Sequence, residues 1–458
     1  MQIQSHNVLD TDKIGRLLMK LTAPMFFGML VQNIYNIVDT IFIGHYVGSD
    51  GIAALSIAFP LQMLTMGVGN MVGIGGGSLI SRLIGGKDQR RAERALGNSI
   101  CFSIIVSLLL MLAVLPGLDF WLKLIGTSEV VMPFARDYLV IIFSGTVFNI
   151  ASSVLLMLVR AEGNARVSMI SLILQSVLNI ILDAVFIIWL GMGMKGAALA
   201  MVISQLAATI YVISYYYTGG SFLKVRWRDF IPDLKIVKSI FVIGATQFVQ
   251  AAAMTISSLF MIKMMANYGG DIALSAFGII QRIMMFSTIP GMVLGQAMQP
   301  ILGFNYGAKR YKQALRTISL ASVTATVLGL VAFLVLFLIP EPIIGIFTSD
   351  ARLIAATSFA ARRIFLVLPL FSYYNVGQLV FPSIGKAFES FIIAVSRPLL
   401  FITPLILIFP HFWQMNGVWL AFPGSDFLSF LLVVALLIPL IIKFRKAAVA
   451  NNAPEVVN

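Results

Sequence analysis

Runs of apolar residues long enough to cross a bilayer recur along the whole chain, and no other feature constrains its fold as much. About 20 residues suffice for a helical crossing. Twelve stretches meet or approach that length: 17–43, 52–80, 95–117, 131–159, 167–190, 196–217, 236–266, 272–300, 317–339, 353–382, 391–410 and 415–442. A span must satisfy its own backbone groups, which leaves helices or closed barrels. Barrel strands alternate polar with apolar residues, whereas runs such as 103–115 and 428–442 are continuous. The sequence therefore predicts an all-α polytopic membrane protein of twelve transmembrane helices. Its 11% of charged residues is less than half the share of a soluble domain, which excludes an ordinary soluble enzyme. The 37 Gly and 17 Pro follow no short period, so a collagen-like or disordered chain is excluded too.

The formal net charge of +13 sorts by side. Lys13, Arg16 and Lys20 precede the first span; Arg82, Lys87, Arg90, Arg91 and Arg94 lie between the second and third; Lys309, Arg310, Lys312 and Arg316 lie between the eighth and ninth. With the other loops of that side and the tail, these make 23 of the 32 Lys and Arg, against four on the alternate loops: Lys123, Arg136, Lys195 and Arg352. The positive-inside rule then puts both termini in the cytoplasm and makes the number of spans even. Charge here reports topology, and a nucleic-acid partner is not expected, because no basic run is interleaved with aromatics on a soluble domain. A single cysteine, Cys101, excludes a disulfide framework. Asp10 and Asp12, ahead of the first span, argue against a cleavable signal peptide.

The chain repeats itself. Ala54-Leu55-Ser56 matches Ala273-Leu274-Ser275 and Ala95-Leu96 matches Ala314-Leu315, at an offset of 219; Gly196 to Ala200 matches Gly417 to Ala421 at 221. Two pseudo-symmetric six-helix bundles are expected, at 1–217 and 236–458, joined by a basic cytoplasmic linker at 218–235. Both start on the same side, so the repeat is parallel, a common basis of alternating access in secondary transporters. Gly69, Gly73 and Gly77 form a small-residue stripe suited to close helix packing. No G-x-x-x-x-G-K-[S/T] motif is present, which disfavours an ATP-driven pump. Without an H-E-x-x-H or D-D-x-x-D motif, and with His6, His45 and His411 scattered, an intramembrane enzyme is not expected.

An ionisable side chain inside a span is costly and is a functional hypothesis by default. Asp39 lies in the first span with Asn36 three residues earlier. Asp183 lies in the fifth, with Asn179 and Gln175 at i−4 and i−8 making one polar stripe. Both acids reach a similar depth in the outer half. Such a pair can share a proton or gather oxygen ligands around a small cation, with Asp39, Asn179 and Asp183 as the ligands. A purely structural, hydrogen-bonded role is the bland alternative. At an offset of 221 the acids correspond to Phe260 and Pro404, so the second half lacks them. That half keeps other polar groups, among them Lys263, Arg282, Arg363, Arg397 and Asp426. Arg397 and Asp426 can pair, Lys263 and Arg282 can snorkel, and structural roles are expected for Arg160 and Glu162.

With these residues in view, the chain resembles the multidrug and toxic compound extrusion (MATE) family over essentially its full length. The most specific segment is Pro300-Ile-Leu-Gly-Phe-Asn-Tyr-Gly-Ala-Lys-Arg-Tyr-Lys-Gln-Ala314, supported by Arg160-Ala-Glu-Gly-Asn164 and Gly196-Ala-Ala-Leu-Ala200. The acids place it nearest the DinF-like, MepA-like bacterial branch. The resemblance implies that Asp39, Asn179, Asp183 and Tyr138 form the proton or sodium site, and that Pro24 is a helix-bending position. The family's sixth-span threonine falls on Met201, with Ser204 nearby, and the acids of the NorM-like second half are absent.

The resemblance implies a monomeric antiporter whose two bundles form a V-shaped cleft. It would export amphipathic, cationic small molecules in exchange for H⁺ or Na⁺ and use no cofactor. Met and Phe side chains, 23 and 34 in number, would give an adaptable lining. A lipid-linked intermediate flippase of the same superfamily and a passive channel are the alternatives.

Overall fold

A chain whose apolar runs must satisfy their own backbone folds into helices, and the computed structural model, which describes residues 8–451, contains little else. In chain order they are α1 (Ile14–Tyr46), α2 (Ser49–Gly85), α3 (Gln89–Val114), α4 (Leu118–Ile125), α5 (Met132–Ser144), α6 (Thr146–Ala161), α7 (Ala165–Asp183) and α8 (Gly193–Tyr217). The second half follows with α9 (Leu234–Gly307), α10 (Tyr311–Leu338), α11 (Pro340–Gly345), α12 (Ala351–Ile364), α13 (Leu368–Ser383), α14 (Ala387–Val395) and α15 (Thr403–Asn451). Wider π-helical turns continue α7 through Ala184–Trp189 and join α14 to α15 through Ser396–Ile402. His6 and the end of the tail, 452–458, lie outside the described residues.

Among the described residues nine helical stretches are long and apolar enough to cross a membrane, and α5 with α6, bent by 56°, makes a tenth. α9 and α15 each contain one residue with non-helical backbone angles, Gly270 (φ 59°) and Gln414 (φ 50°), and divide there into two crossings. Twelve spans result.

The repeat is written into the backbone as well as the sequence. Left-handed positions at Gly48, Lys87, Gly163 and Gly193 recur at Gly270, Lys309, Gly385 and Gln414, always 221 or 222 residues on. Each such joint ends one helix and re-aims the chain into the next. Gly163 illustrates the local logic: it takes φ 88°, and the next residue, Asn164, accepts a hydrogen bond from the Val167 N–H at 3.3 Å to cap α7.

The chain divides into two compact units, one built on Met19–Phe248 and the other on Asp12–Leu18 with the residues from Val249 onward. The first unit includes the basic segment 218–235 and the start of α9. Arg90 of α3 pairs with Asp229 at 2.8 Å, and the Asn98 amide donates to the carbonyls of Asp229 and Ile231 at 2.9 and 3.2 Å. In return, the Asp233 N–H donates to Asn98 Oδ1 at 2.6 Å. α9 then meets α2 backbone to backbone: a Cβ on Gly244 would lie 1.8 Å from the Met71 carbonyl oxygen, with no flexible side chain to yield. Gly244→Ala should therefore destabilise the protein by about 1–3 kcal/mol, read as a lowered melting temperature of the purified protein in detergent. Gly278→Ala, at a position with nothing within 4 Å, should show no loss. Equal melting of the two variants would refute the close approach.

The expected span 353–382 matches the apolar helical stretch Ala351–Ser383, with its charged residues near one end. Arg362 Nε donates to the Phe337 carbonyl at the end of α10, at 3.1 Å, and Nη2 to Glu341 of α11 at 2.9 Å. The guanidinium therefore sits at the level where α10 ends. From Ile364 to Ser383 is 20 residues, enough to span.

Candidate functional site

Polar groups of the first unit, buried or half-buried, converge from five helices. α7 carries the longest stripe: Gln175, Asn179 and Asp183 are 8%, 2% and 0% exposed, one helical turn apart on one face. Asp183 is the last α-helical residue before the π-helical turn, a local widening that often marks functional positions. The Asn179 amide, oriented to satisfy both ends, donates to Asp183 Oδ2 at 3.1 Å and accepts from the Met201 backbone N–H of α8 at 3.2 Å. That bond fixes which way the amide faces and ties α7 to α8.

From α1, Asp39 meets Asp183: the two carboxyl groups stand within hydrogen-bonding reach of each other. Asp183 Oδ1 is buried with no N–H or O–H donor from another residue. Two carboxyl groups so placed can be held together by a proton or a cation between them. Tyr35, one turn before Asp39, is buried and close enough to interact electrostatically with both acids. Tyr138 of α5 is buried as well; its hydroxyl accepts from Gln62 Nε2 of α2 at 2.9 Å and lies 3.7 Å from the Met201 sulfur.

The sequence-predicted residues thus divide. Asp39, Asp183, Asn179 and Tyr138 come together, with Gln175 one turn along α7. Asn36 is exposed and its carbonyl accepts from the Thr40 hydroxyl. Ser204 is buried, but its hydroxyl donates to the Ala200 carbonyl in its own helix at 2.7 Å. Pro24 lies inside α1, which runs through it without a break. The ring has no N–H, so the Lys20 carbonyl lacks its helical donor there, a built-in soft point. Sequence reasoning passed over Tyr35 and Gln62. Gln62 carried a signal, an amide within a span, and Tyr35 lies four residues before Asp39.

In the second unit Asp39 and Asp183 fall on Phe260 or Met261 and on Pro404 or Leu405, at an offset of 221 or 222. The same 222 offset carries Gln175 to Arg397 and Ser204 to Asp426. These two pair: Arg397 Nε donates to Asp426 Oδ1 at 2.6 Å, and the guanidinium lies 4.4 Å from the Phe371 ring centroid. Where the first unit has neutral groups beside its acids, the second has a charge neutralised from within. Elsewhere, Arg160 donates to Ser168 at 2.7 Å. Glu162, just past α6, accepts from Ser221 at 2.7 Å, and burial pushes its carboxyl up to about 8. Among the described residues no three His, Cys, Asp or Glu side chains gather as a metal centre.

A family model, MatE, matches the chain twice, at residues 24–185 and 247–407, once in each half. The multidrug export protein MepA of Staphylococcus aureus is 27% identical over 413 residues, covering 89% of this chain and 90% of that protein. MepA of Staphylococcus saprophyticus is 27% identical over 406 residues, covering 88% and 87%. Among solved structures, the MATE multidrug transporter DinF-BH is 38% identical with a TM-score of 0.87, covering 94% of this chain and 96% of its own. An outward-facing multidrug resistance MATE transporter shares the fold at 24% identity, with a TM-score of 0.90 and 99% of each chain covered. Twelve spans, a doubled fold and these likenesses lead to one assignment: the chain belongs to the MatE family and is a multi-pass membrane transporter for small molecules, not an enzyme.

Proposed function

We propose that this transporter is a proton-coupled antiporter of the cell inner membrane, with both termini cytoplasmic, exporting amphipathic, cationic compounds by alternating access. The observation that carries the reading is the facing pair of Asp183, buried, and Asp39, half-buried, in the first unit, with no basic side chain among the described residues paired to either. A proton between the carboxyls removes their repulsion and a departing proton restores it, so proton occupancy differs in energy between states of the protein. Only such a difference lets an ion gradient drive a conformational equilibrium. Sodium is disfavoured by ligand supply. Hard cations take six or so oxygens, yet the Asn179 amide oxygen accepts from the Met201 N–H and a thioether stands beside Tyr138. The names of MepA and DinF-BH, both multidrug transporters, support a broad substrate range.

Dye uptake or efflux by reconstituted proteoliposomes, with ΔpH and a sodium gradient imposed separately, tests this directly. Transport should follow ΔpH without sodium. Drive by sodium alone would overturn the proton assignment, and downhill flux with no uphill accumulation under either gradient would favour a channel.

A further inference from the structure

The second unit carries a groove that takes no part in the acid site. It lies at the end of α10 remote from the basic loop of Lys309 and Arg310, where α11 and α12 close over the helix. The cavity there has a volume of about 680 Å³, and Glu341, Ile354, Ser358, Phe359, Arg362 and Arg363 are among its lining residues. Arg362 is engaged by the Phe337 carbonyl and Glu341, as described above. Arg363 Nη1 donates to the Phe359 carbonyl at 3.1 Å and its guanidinium lies 3.3 Å from the Phe359 ring centroid. It has no carboxylate partner among the described residues. A guanidinium has five N–H donors, so most of Arg363's remain unused. Ser358 is 3% exposed, and its Oγ is buried without a hydrogen-bond partner.

Two positive charges against one negative in the lining of one groove make a site for an anion. Its surroundings narrow the choice. Leu338, Ile339 and Ile346 beside it are 65%, 54% and 80% exposed, an apolar flank at the level where the spans end and lipid headgroups begin. Planar guanidinium groups match phosphate oxygens in a forked geometry. The cavity is also far larger than an inorganic phosphate fills. We propose that this groove binds the headgroup of an anionic phospholipid, its phosphodiester held by Arg363 and Arg362 and its acyl chains lying along the apolar flank. Glu341 opposes the anion and sets an upper limit on affinity.

Native mass spectrometry of the delipidated full-length protein in detergent, titrated with phosphatidylglycerol, tests the site. The wild type should retain the lipid, and Arg363→Gln should bind it about tenfold more weakly, the effect of losing one charge-assisted hydrogen bond. Arg363→Lys, which keeps the charge, should bind closer to the wild type. Glu341→Gln should bind more tightly, an effect opposite in sign to any loss of folding. Inorganic phosphate in large excess should not displace the lipid. Binding by Arg363→Gln equal to the wild type, weakened binding by Glu341→Gln, or displacement by phosphate would each overturn the proposal. Should Arg363→Gln fail to fold, Glu341→Gln decides alone.

Discussion

Asp183→Asn should reduce ΔpH-driven efflux to the level of protein-free vesicles while the protein folds and inserts as before. The amide matches the carboxyl in shape and still accepts from Asn179 through its oxygen, so the α7–α8 tie is kept. On the proposed coupling, what disappears is the exchangeable proton between the two acids, and with it the difference in ion affinity between states. Without that difference a gradient does no work on the protein, however well substrate binds. The melting temperature should not fall, because the variant removes an uncompensated carboxyl from a site with 0% exposure. Asp39→Asn should behave alike. Wild-type efflux rates in either variant, measured in proteoliposomes under an imposed ΔpH, would dismiss the acid pair as the coupling site.

The second large effect is on stability. Arg397→Gln should cost about 3–5 kcal/mol, because it leaves Asp426, 6% exposed, without its partner among Leu368, Phe371 and Phe422. The double variant Arg397→Gln/Asp426→Ser installs the residues that the first unit carries at the corresponding positions, Gln175 and Ser204, and should recover most of the loss. The comparison separates the penalty of an orphaned charge from the worth of the pair itself. Thermal unfolding of the purified proteins in one detergent reads both. Equal melting of the wild type and Arg397→Gln would show that Asp426 is not held as the structure places it.

Much of the fold was legible because a bilayer imposes one length and one polarity on every crossing. The breaks at Gly270 and Gln414 fall in the gaps expected at 266–272 and 410–415, where the apolar runs pause. The contact of Arg362 with the end of α10, by contrast, is one that no local pattern encodes. The acids stood out against a nearly uncharged background. Their neighbours did not, for a geometric reason. At about 100° per residue, a position three back lies about 60° around the helix and a position four back about 40°. Asn36 and Tyr35 are therefore both plausible companions of Asp39, and packing turned Tyr35 inward and left Asn36 exposed. Gln62 and Tyr138 meet across 76 residues of sequence, a distance that composition and period cannot bridge.

The four recurring left-handed joints have a consequence for the interiors of the two halves. Each half carries its own short-range instructions for where helices stop, so its scaffold does not depend on which side chains fill its interior. Two copies of one scaffold can therefore carry different interiors, as the acids of the first half and their apolar counterparts in the second do. The internal salt bridge of Arg397 and Asp426 stands where the first half has Gln175 and Ser204, on a backbone that bends where its sibling bends. The backbone of this chain is thus symmetric where its buried polar residues are not.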